Sequence, residues 1–467
     1  MTTAIEADYL VVGAGAMGMA FVDTLVTETD ATVVVVDRYH QPGGHWTVAY
    51  PYVRLHQPSA YYGVNSRPLG GDSIDRGGWN EGLHELASAA EVCAYFDQVM
   101  RQQLLPSGRV EYFPMSEYDG DGRFHSTVSG DEFEVKIRRR VVDSTYMRVT
   151  VPSMRPPKYA VEAGVRCVTP NELPAVRDRA GHYTVVGAGK TGIDACLWLL
   201  RQGVDPRQLT WIMPRDSWLL DRQNVQPGPL FANAVIANHA ARHEAINTAE
   251  SVDDLFDRLE TCGALLRISD SVRPTMYRCA TVTRTELAQL RRIDNIIRLG
   301  RVQRIGADTI ELDHGTIPTN TETLHIDCTA DGLEQRPAIP VFDGSLITLQ
   351  SVRVCQQVFS AALIAHVEAT YADDTVKNGL CHAVTHPNTD RDLLRSLLET
   401  NAQLARWATE PGLLEWLSKA RLNAKIGLPP SDPDARADFD RQMLDALHIE
   451  NVRLEQLLLD EQATVRR

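Results

Sequence analysis

The pattern Gly-x-Gly-x-x-Gly occurs twice in this chain, and each copy stands between a short apolar run and a stretch of helical spacing. The first is Gly13-Ala14-Gly15-Ala16-Met17-Gly18, after Tyr9–Val12 and before the helical pattern Met17–Val26. The second is Gly187-Ala188-Gly189-Lys190-Thr191-Gly192, after Tyr183–Val186 and before Thr191–Gln202. A second apolar run follows each, at Thr32–Val36 and at Leu209–Met213. Continuous apolar runs of four or five residues fit strands buried on both faces of a parallel sheet. Strand, helix and strand within some thirty residues make a βαβ unit, so the chain carries two of them.

In such a unit the three glycines have separate tasks: a tight turn, close approach of backbone to a pyrophosphate, and close packing of helix on strand. The pyrophosphate lies on the helix N-terminus, where free N–H groups and the helix dipole favour negative charge. Asp37 follows Gly18 by 19 residues, at the end of the second apolar run. A carboxylate there accepts hydrogen bonds from a ribose and repels a 2′-phosphate. Gly13, Gly15, Ala16, Met17, Gly18, Asp37 and the adjoining Arg38 are therefore expected to bind a first dinucleotide. In the second unit no acid ends the second run; Met213-Pro214-Arg215 stands there instead. A guanidinium suits a 2′-phosphate by charge and by bidentate geometry. Gly187, Gly189, Lys190, Thr191, Gly192 and Arg215 are expected to take NADPH, although Asp216 adjoins the arginine. Lys190-Thr191 is not the end of a P-loop, because the four-residue glycine spacing is missing. Two nucleotide folds in one chain imply two nucleotides used together, and the usual reason is hydride passage from a nicotinamide to a flavin. FAD in the first fold and NADPH in the second is the natural assignment.

With 467 residues the chain suits two or three domains. The expected divisions are a first part of an FAD domain over 1–174, an NADPH domain with a helical insertion over 175–322, a second FAD part over 323–370, and a helical region over 371–467. The fold class is thus α/β: two Rossmann-like domains, the NADPH domain inserted in the FAD domain, with a C-terminal helical extension. Helical periodicity is expected over Glu81–Leu105, a small antiparallel meander over Val110–Val142, and helices over Leu230–Leu266. A break is expected at Pro429-Pro430-Ser431-Asp432-Pro433. The helices from Arg391 to Leu459 read as a packed cap or an oligomer face, with Trp407 and Trp416 as candidates for a substrate pocket.

A net charge of −14 argues against nucleic acid as a partner. The apolar runs are too short for a membrane span, and the first residues lack the basic and apolar stretches of a secretory signal, so a cytoplasmic protein is expected. The eight cysteines form no CxxC pair and no zinc knuckle, and buried free thiols are expected. His40, His45 and His56 lack the carboxylate or cysteine spacing of a metal site, and no metal is expected.

Beyond the first glycine motif and Asp37, the chain carries Gly43-Gly44-His45-Trp46, then Tyr50-Pro51, Arg54 and, further on, Tyr61-Tyr62-Gly63-Val64-Asn65-Ser66. In these segments it resembles the flavin-containing and Baeyer–Villiger monooxygenase group of two-dinucleotide-domain flavoproteins. The resemblance implies that Gly44, His45 and Trp46 lie along FAD, that Arg54 and Gln57 belong to the flavin region, and that Asn65 is an active-site amide. It also implies that Leu324–Gly332 is the strand linking the NADPH domain back to the FAD domain. Two departures stand out. The fingerprint FxGxxxHxxx(W/Y) is absent, Val168–Pro174 standing in its place, and His56 occupies the position where Baeyer–Villiger enzymes tend to have an aspartate. The departures leave FAD and NADPH binding nearly untouched, but they count against oxygen insertion and against Baeyer–Villiger chemistry in particular. The implied activity is NADPH-dependent monooxygenation of a small organic substrate by dioxygen through a flavin C4a-(hydro)peroxide, with Asn65 and His56 as catalytic candidates. An NADPH-dependent flavoprotein reductase without oxygen insertion is the alternative.

Overall fold

A computed structural model describes residues 2–330, 332–424 and 432–465. In the first unit β1 (Thr3–Val12) leads through Gly13 into α1 (Ala16–Glu28), which returns to β2 (Val33–Val36). All four β2 residues are buried, as are ten consecutive residues of α1 from Met17 to Val26. After α2 (Ala89–Val99) come β3 (Val110–Phe113), β4 (Ser116–Gly120), β5 (Arg123–Ser126) and β6 (Glu132–Asp143). Strands β3, β2, β1 and β6 lie side by side and parallel. Only β4, β5 and the start of β6 form the expected antiparallel meander; β3 is an edge strand of the parallel sheet instead. Helix α2 also starts later than its periodicity suggests. Ser88 caps it through a reciprocal pair with Glu91, and the stretch before the helix is held in bridges instead, His84 to Ile74 and Ser88 itself to Arg54.

The second unit opens with β7 (Ala160–Val161) and β8 (Cys167–Val168), then β9 (His182–Val186), α3 (Lys190–Arg201), β10 (Leu209–Ile212) and β11 (Ser217–Asp221). The expected helical insertion is present as α4 (Ala232–Thr248) and α5 (Val252–Thr261). It is followed by β12 (Leu265–Leu266), β13 (Met276–Val282), α6 (Arg284–Leu290), β14 (Ile296–Ile297), β15 (Val302–Ile305), β16 (Thr309–Leu312), β17 (Gly315–Pro318) and β18 (Thr323–Asp327). The order β14-β10-β9-β18-β8 is wholly parallel and repeats the order of the first sheet around its own glycine motif. Strands β17, β16, β15 and β7 form a separate small sheet, and β12, β11 and β13 another.

Strand pairing shifts the divisions read from sequence. Residues 160–168 pair with β15 and β18, so they join the second unit ahead of position 174. Strand β18 sits between β9 and β8, so Leu324–Asp327 completes the second sheet and is not itself the return. The return is made by β19 (Phe342–Asp343) and β20 (Leu346–Thr348), the latter parallel to β6. The remainder of the linking segment includes Asp331, which lies outside the described residues. Nesting of the second unit within the first therefore holds in the strand order. Helix α7 (Gln357–Thr370) packs against α1 with eleven consecutive buried residues. Helices α8 (Asp374–Leu380), α9 (Asp390–Ala408), α10 (Pro411–Lys419) and α11 (Pro433–Val465) close the chain. Leu393 and Leu394 of α9 and Leu454 and Leu457 of α11 share a core with Trp218 of β11 and Phe256 of α5, so these two helices pack on the second unit. Of the break expected at Pro429–Pro433, residues 429–431 lie outside the described residues, and Pro433 is the first residue of α11.

Candidate functional site: one cavity between two glycine motifs

The two motifs build the same local geometry. Gly13 and Gly187 have φ of +99° and +127°, a region open to glycine, and each donates its N–H to the end of the second strand of its unit, Val36 at 2.8 Å and Ile212 at 3.0 Å. A Cβ on Gly18 would fall on the carbonyl oxygen of Gly13, and one on Gly192 on that of Gly187. These third glycines hold helix against strand. A Cβ on Gly189 would enter open space at the start of α3, the place where an anion would lie on the helix N-terminus. At the first motif Gly44, with φ +58°, presses so closely on Gly15 that an added Cβ would stand 2.9 Å from the Gly15 Cα.

Both motifs open on one cavity of about 750 Å³ at the carboxyl ends of the two parallel sheets, where open α/β sheets bind their ligands. From the first unit it is lined by Gly13, Gly15, Ala16, Met17, Asp37 and Arg38, and by Gly44, His45, Trp46, Arg54, His56 and Gln57. From the second it is lined by Ala188, Gly189, Lys190 and Thr191. The residues fit two dinucleotides: two helix N-termini with glycine-made space, and a carboxylate at the end of β2.

Asp37 is 4% exposed and accepts from the backbone N–H groups of Ala14 and, at 2.7 Å, Tyr39. Burial raises its carboxyl above the usual range against the pull of those two donors. His45 is pushed down to about 4 by burial. His56 falls well below its usual value, first by burial and then by the charges of Lys190 and Arg222. Its Nδ1 accepts from the Thr281 N–H at 3.2 Å, which leaves the proton of a neutral ring on Nε2. Trp46 donates its indole N–H to the Tyr62 hydroxyl at 2.7 Å, which fixes the ring at the cavity wall. Lys190 pairs with Asp194 one turn along α3, and Tyr50 donates to the same carboxylate at 2.7 Å.

Asn65 does not line the cavity. Its amide oxygen accepts from the Leu422 N–H at 3.4 Å, where Arg421 also clamps the carbonyls of Ala60, Tyr62 and Val64. Arg215 stands just beyond β10, outside the cavity lining, with Nη2 3.7 Å from the Met276 sulfur. Asp216 is buried and held by Arg298 at 2.6 and 2.9 Å, so its charge is spent away from Arg215. Trp407 is buried on Phe359, and Trp416 stacks on His366 and donates to Glu28; neither lines the cavity, because the C-terminal helices use them as core.

Two of the eight cysteines, expected as free thiols, are not free. Cys279, in β13, and Cys355, just before α7, form a disulfide, and both line the cavity. Their separation of 76 residues hides the pair from any spacing rule; only the fold brings the two elements together. The other six cysteines are free thiols. Sequence reasoning also missed Arg278 and His386, both on the cavity wall. His386 is lowered to about 4, mainly by burial, and its Nδ1 is buried without a hydrogen-bond partner. Among the described residues there is no cluster of side chains suited to a metal ion, and no helix long and apolar enough to cross a membrane.

No protein-family model matches the chain. Among solved structures it is similar to the flavin-containing monooxygenase from Stenotrophomonas maltophilia, at 16% identity over 78% of this chain and 98% of that one, with a TM-score of 0.46. It is also similar to an oxidised steroid monooxygenase bound to NADP, at 13% identity over 98% of each chain and a TM-score of 0.48. These overlaps are too loose to transfer the role of any residue. Sequence relatives are far nearer. Uncharacterized protein Rv2000 of Mycobacterium tuberculosis (strain ATCC 25618 / H37Rv) and Uncharacterized protein Mb2023 of Mycobacterium bovis are each 62% identical over 428 residues, 91% of this chain and 79% of the relative. At that identity and coverage, the chain belongs to one family with these mycobacterial proteins.

Proposed function

We propose that the chain is an NADPH-dependent FAD oxidoreductase, and more finely a monooxygenase of a small organic substrate. The observation that carries the reading is the single cavity reached by both glycine motifs. Two nucleotides held there would share one space, as hydride transfer between them requires. Gly13, Gly15, Ala16, Met17, Asp37, Arg38, Gly44 and Trp46 would hold FAD, with Arg54 and Gln57 beside it; Gly189, Lys190, Thr191 and Arg215 would hold NADPH. FAD supplies a two-electron acceptor that dioxygen can reoxidise. The chain's own part is to orient the nucleotides and keep the cavity dry. His45 and His56, both shifted down chiefly by burial, are neutral at pH 7 and add no charge to the wall beside Arg54 and Lys190. Exclusion of water once nucleotides and substrate fill the cavity would favour oxygen transfer to a substrate over loss of reduced oxygen to solvent.

The test is to purify the protein, reduce it anaerobically with NADPH, and mix it with oxygenated buffer in the presence of amine, thioether and carbonyl acceptors. A yellow protein that NADPH bleaches, with one acceptor gaining an oxygen atom from dioxygen, is the expected result. Recovery of all electrons as hydrogen peroxide with every acceptor would move the assignment to a reductase. A colourless protein that cannot be loaded with FAD would remove both readings. The reductase keeps a place because Cys279 and Cys355 offer a second electron acceptor on the cavity wall.

A further inference from the structure

We propose that Cys279 and Cys355 are a redox-active pair that exchanges two electrons with the flavin held in the shared cavity. The inference rests on the assignment of FAD to that cavity. Only five non-glycine residues among those described have positive φ, and two of them are Cys279 at +55° and Cys355 at +57°. Left-handed backbone at a residue that does not favour it persists where surrounding structure enforces it, and such positions gather at functional sites.

At Cys279 the enforcing feature is a bulge. Trp218 of β11 is opposite Tyr277 of β13, yet Leu220 is opposite Thr281, so β13 advances four residues while β11 advances two. A regular strand shows alternate residues to one side, whereas here Arg278, Cys279 and Ala280 all line the cavity. Bulges of this kind re-aim side chains beside active sites. Cys355 arrives from the other unit, two residues before the 14-residue helix α7, whose N-terminus favours a thiolate over a thiol. The remaining wall is set by Tyr277 and Arg278, which bond to Asn388 at 3.3 and 2.8 Å and bring the His386 turn alongside the bulge.

A structural staple explains this placement poorly. The chain has large apolar cores on both sides of the pair, so it lacks the small-domain need for cross-links, and its other six cysteines stay free. In the exchange, the S–S bond takes two electrons and two protons from reduced FAD, leaving two thiols and oxidised FAD. NADPH and one solvent proton restore the reduced flavin and leave NADP⁺. The pair thus doubles the two-electron capacity of the cavity.

The experiment uses the FAD-loaded full chain. Denaturing alkylation with N-ethylmaleimide and peptide mass spectrometry should label six of the eight cysteines before reduction and all eight after anaerobic NADPH. Anaerobic titration should consume two NADPH per flavin in the wild type and one in Cys355→Ser or Cys279→Ser. Six labels after NADPH has bleached the flavin would overturn the pair's exchange and leave the nucleotide assignment standing. Eight labels before any reductant, even after exposure to oxidised glutathione, would overturn it as well. If NADPH does not bleach the flavin, photoreduction supplies reduced flavin directly. Eight labels then uphold the exchange while the NADPH assignment fails, and six overturn it.

Discussion

Tyr50 of the first unit donates its hydroxyl to the Asp194 carboxylate of the second at 2.7 Å, on the same oxygen that Lys190 reaches. This bond joins the segment after Gly43-Gly44-His45-Trp46 to the first turns of α3, so it sets the two glycine motifs against each other across the cavity. Tyr50 is 4% exposed, and loss of its hydroxyl removes a hydrogen bond to a charged group. Tyr50→Phe should therefore cost about 1.5–3 kcal/mol of stability. A lower denaturant midpoint with the flavin still bound is the expected result; an unchanged midpoint would show that the bond does not tie the units together.

The glycines of the second motif separate folding from binding. Gly192→Ala places a methyl group on the Gly187 carbonyl oxygen, so α3 must move off β9. A loss of about 1–3 kcal/mol is expected from that overpacking. Gly189→Ala meets no atom within 4 Å and should leave stability nearly unchanged. It should instead raise the KM for NADPH, since its methyl enters the space left for the pyrophosphate. Thermal melts of the two variants, set beside their NADPH saturation curves, check the contrast; equal KM values for Gly189→Ala and wild type would contradict it.

These glycines were legible in the sequence because what they satisfy is local: a turn, a helix start and the nearest strand lie within a few residues. Asp37 was legible for the same reason, through its fixed distance from Gly18. What escaped depends on long-range topology. Asn65 reads as an active-site amide until Leu422 and Arg421, more than 350 residues away, are seen to occupy its loop. Cys279 and Cys355 carry no spacing signal, and the bulge that turns Cys279 to the cavity is a property of pairing between β11 and β13. Trp407 and Trp416 have helical spacing whether their face meets a core or a ligand, so periodicity cannot choose.

Acid should weaken the folded state through two half-buried histidines of the cavity wall. His45 and His386 titrate at about 4 in the folded chain, against about 6.5 when unfolded. A depressed histidine is neutral in the fold, so its contribution is complete above pH 6.5 and is lost as the pH falls towards 4. For His45 the ceiling across that window is about 3 kcal/mol, at about 1.4 kcal/mol per pH unit. Denaturant midpoints should fall between pH 7 and pH 5, and fall less in His45→Gln. Parallel slopes for variant and wild type would mean that His45 is not the group responsible.

Arg215 gives the sharpest test of which nicotinamide nucleotide is used. The neighbouring Asp216 is buried and neutralised by Arg298, so it does not oppose a phosphate at Arg215. Arg215 itself makes no salt bridge among the described residues, and its guanidinium bonds only to the Met276 sulfur there, which leaves it available beyond the end of β10. A charge-assisted contact to a 2′-phosphate makes Arg215→Ala raise the KM for NADPH roughly tenfold or more, or at least about 1.4 kcal/mol. The KM for NADH, which lacks that phosphate, should stay within a factor of two or so. Arg298→Ala releases Asp216 and should weaken NADPH binding indirectly, with part of the loss recovered in Arg298→Ala/Asp216→Asn. Equal changes for both nucleotides in Arg215→Ala would mean that the second site does not read the 2′-phosphate through this residue.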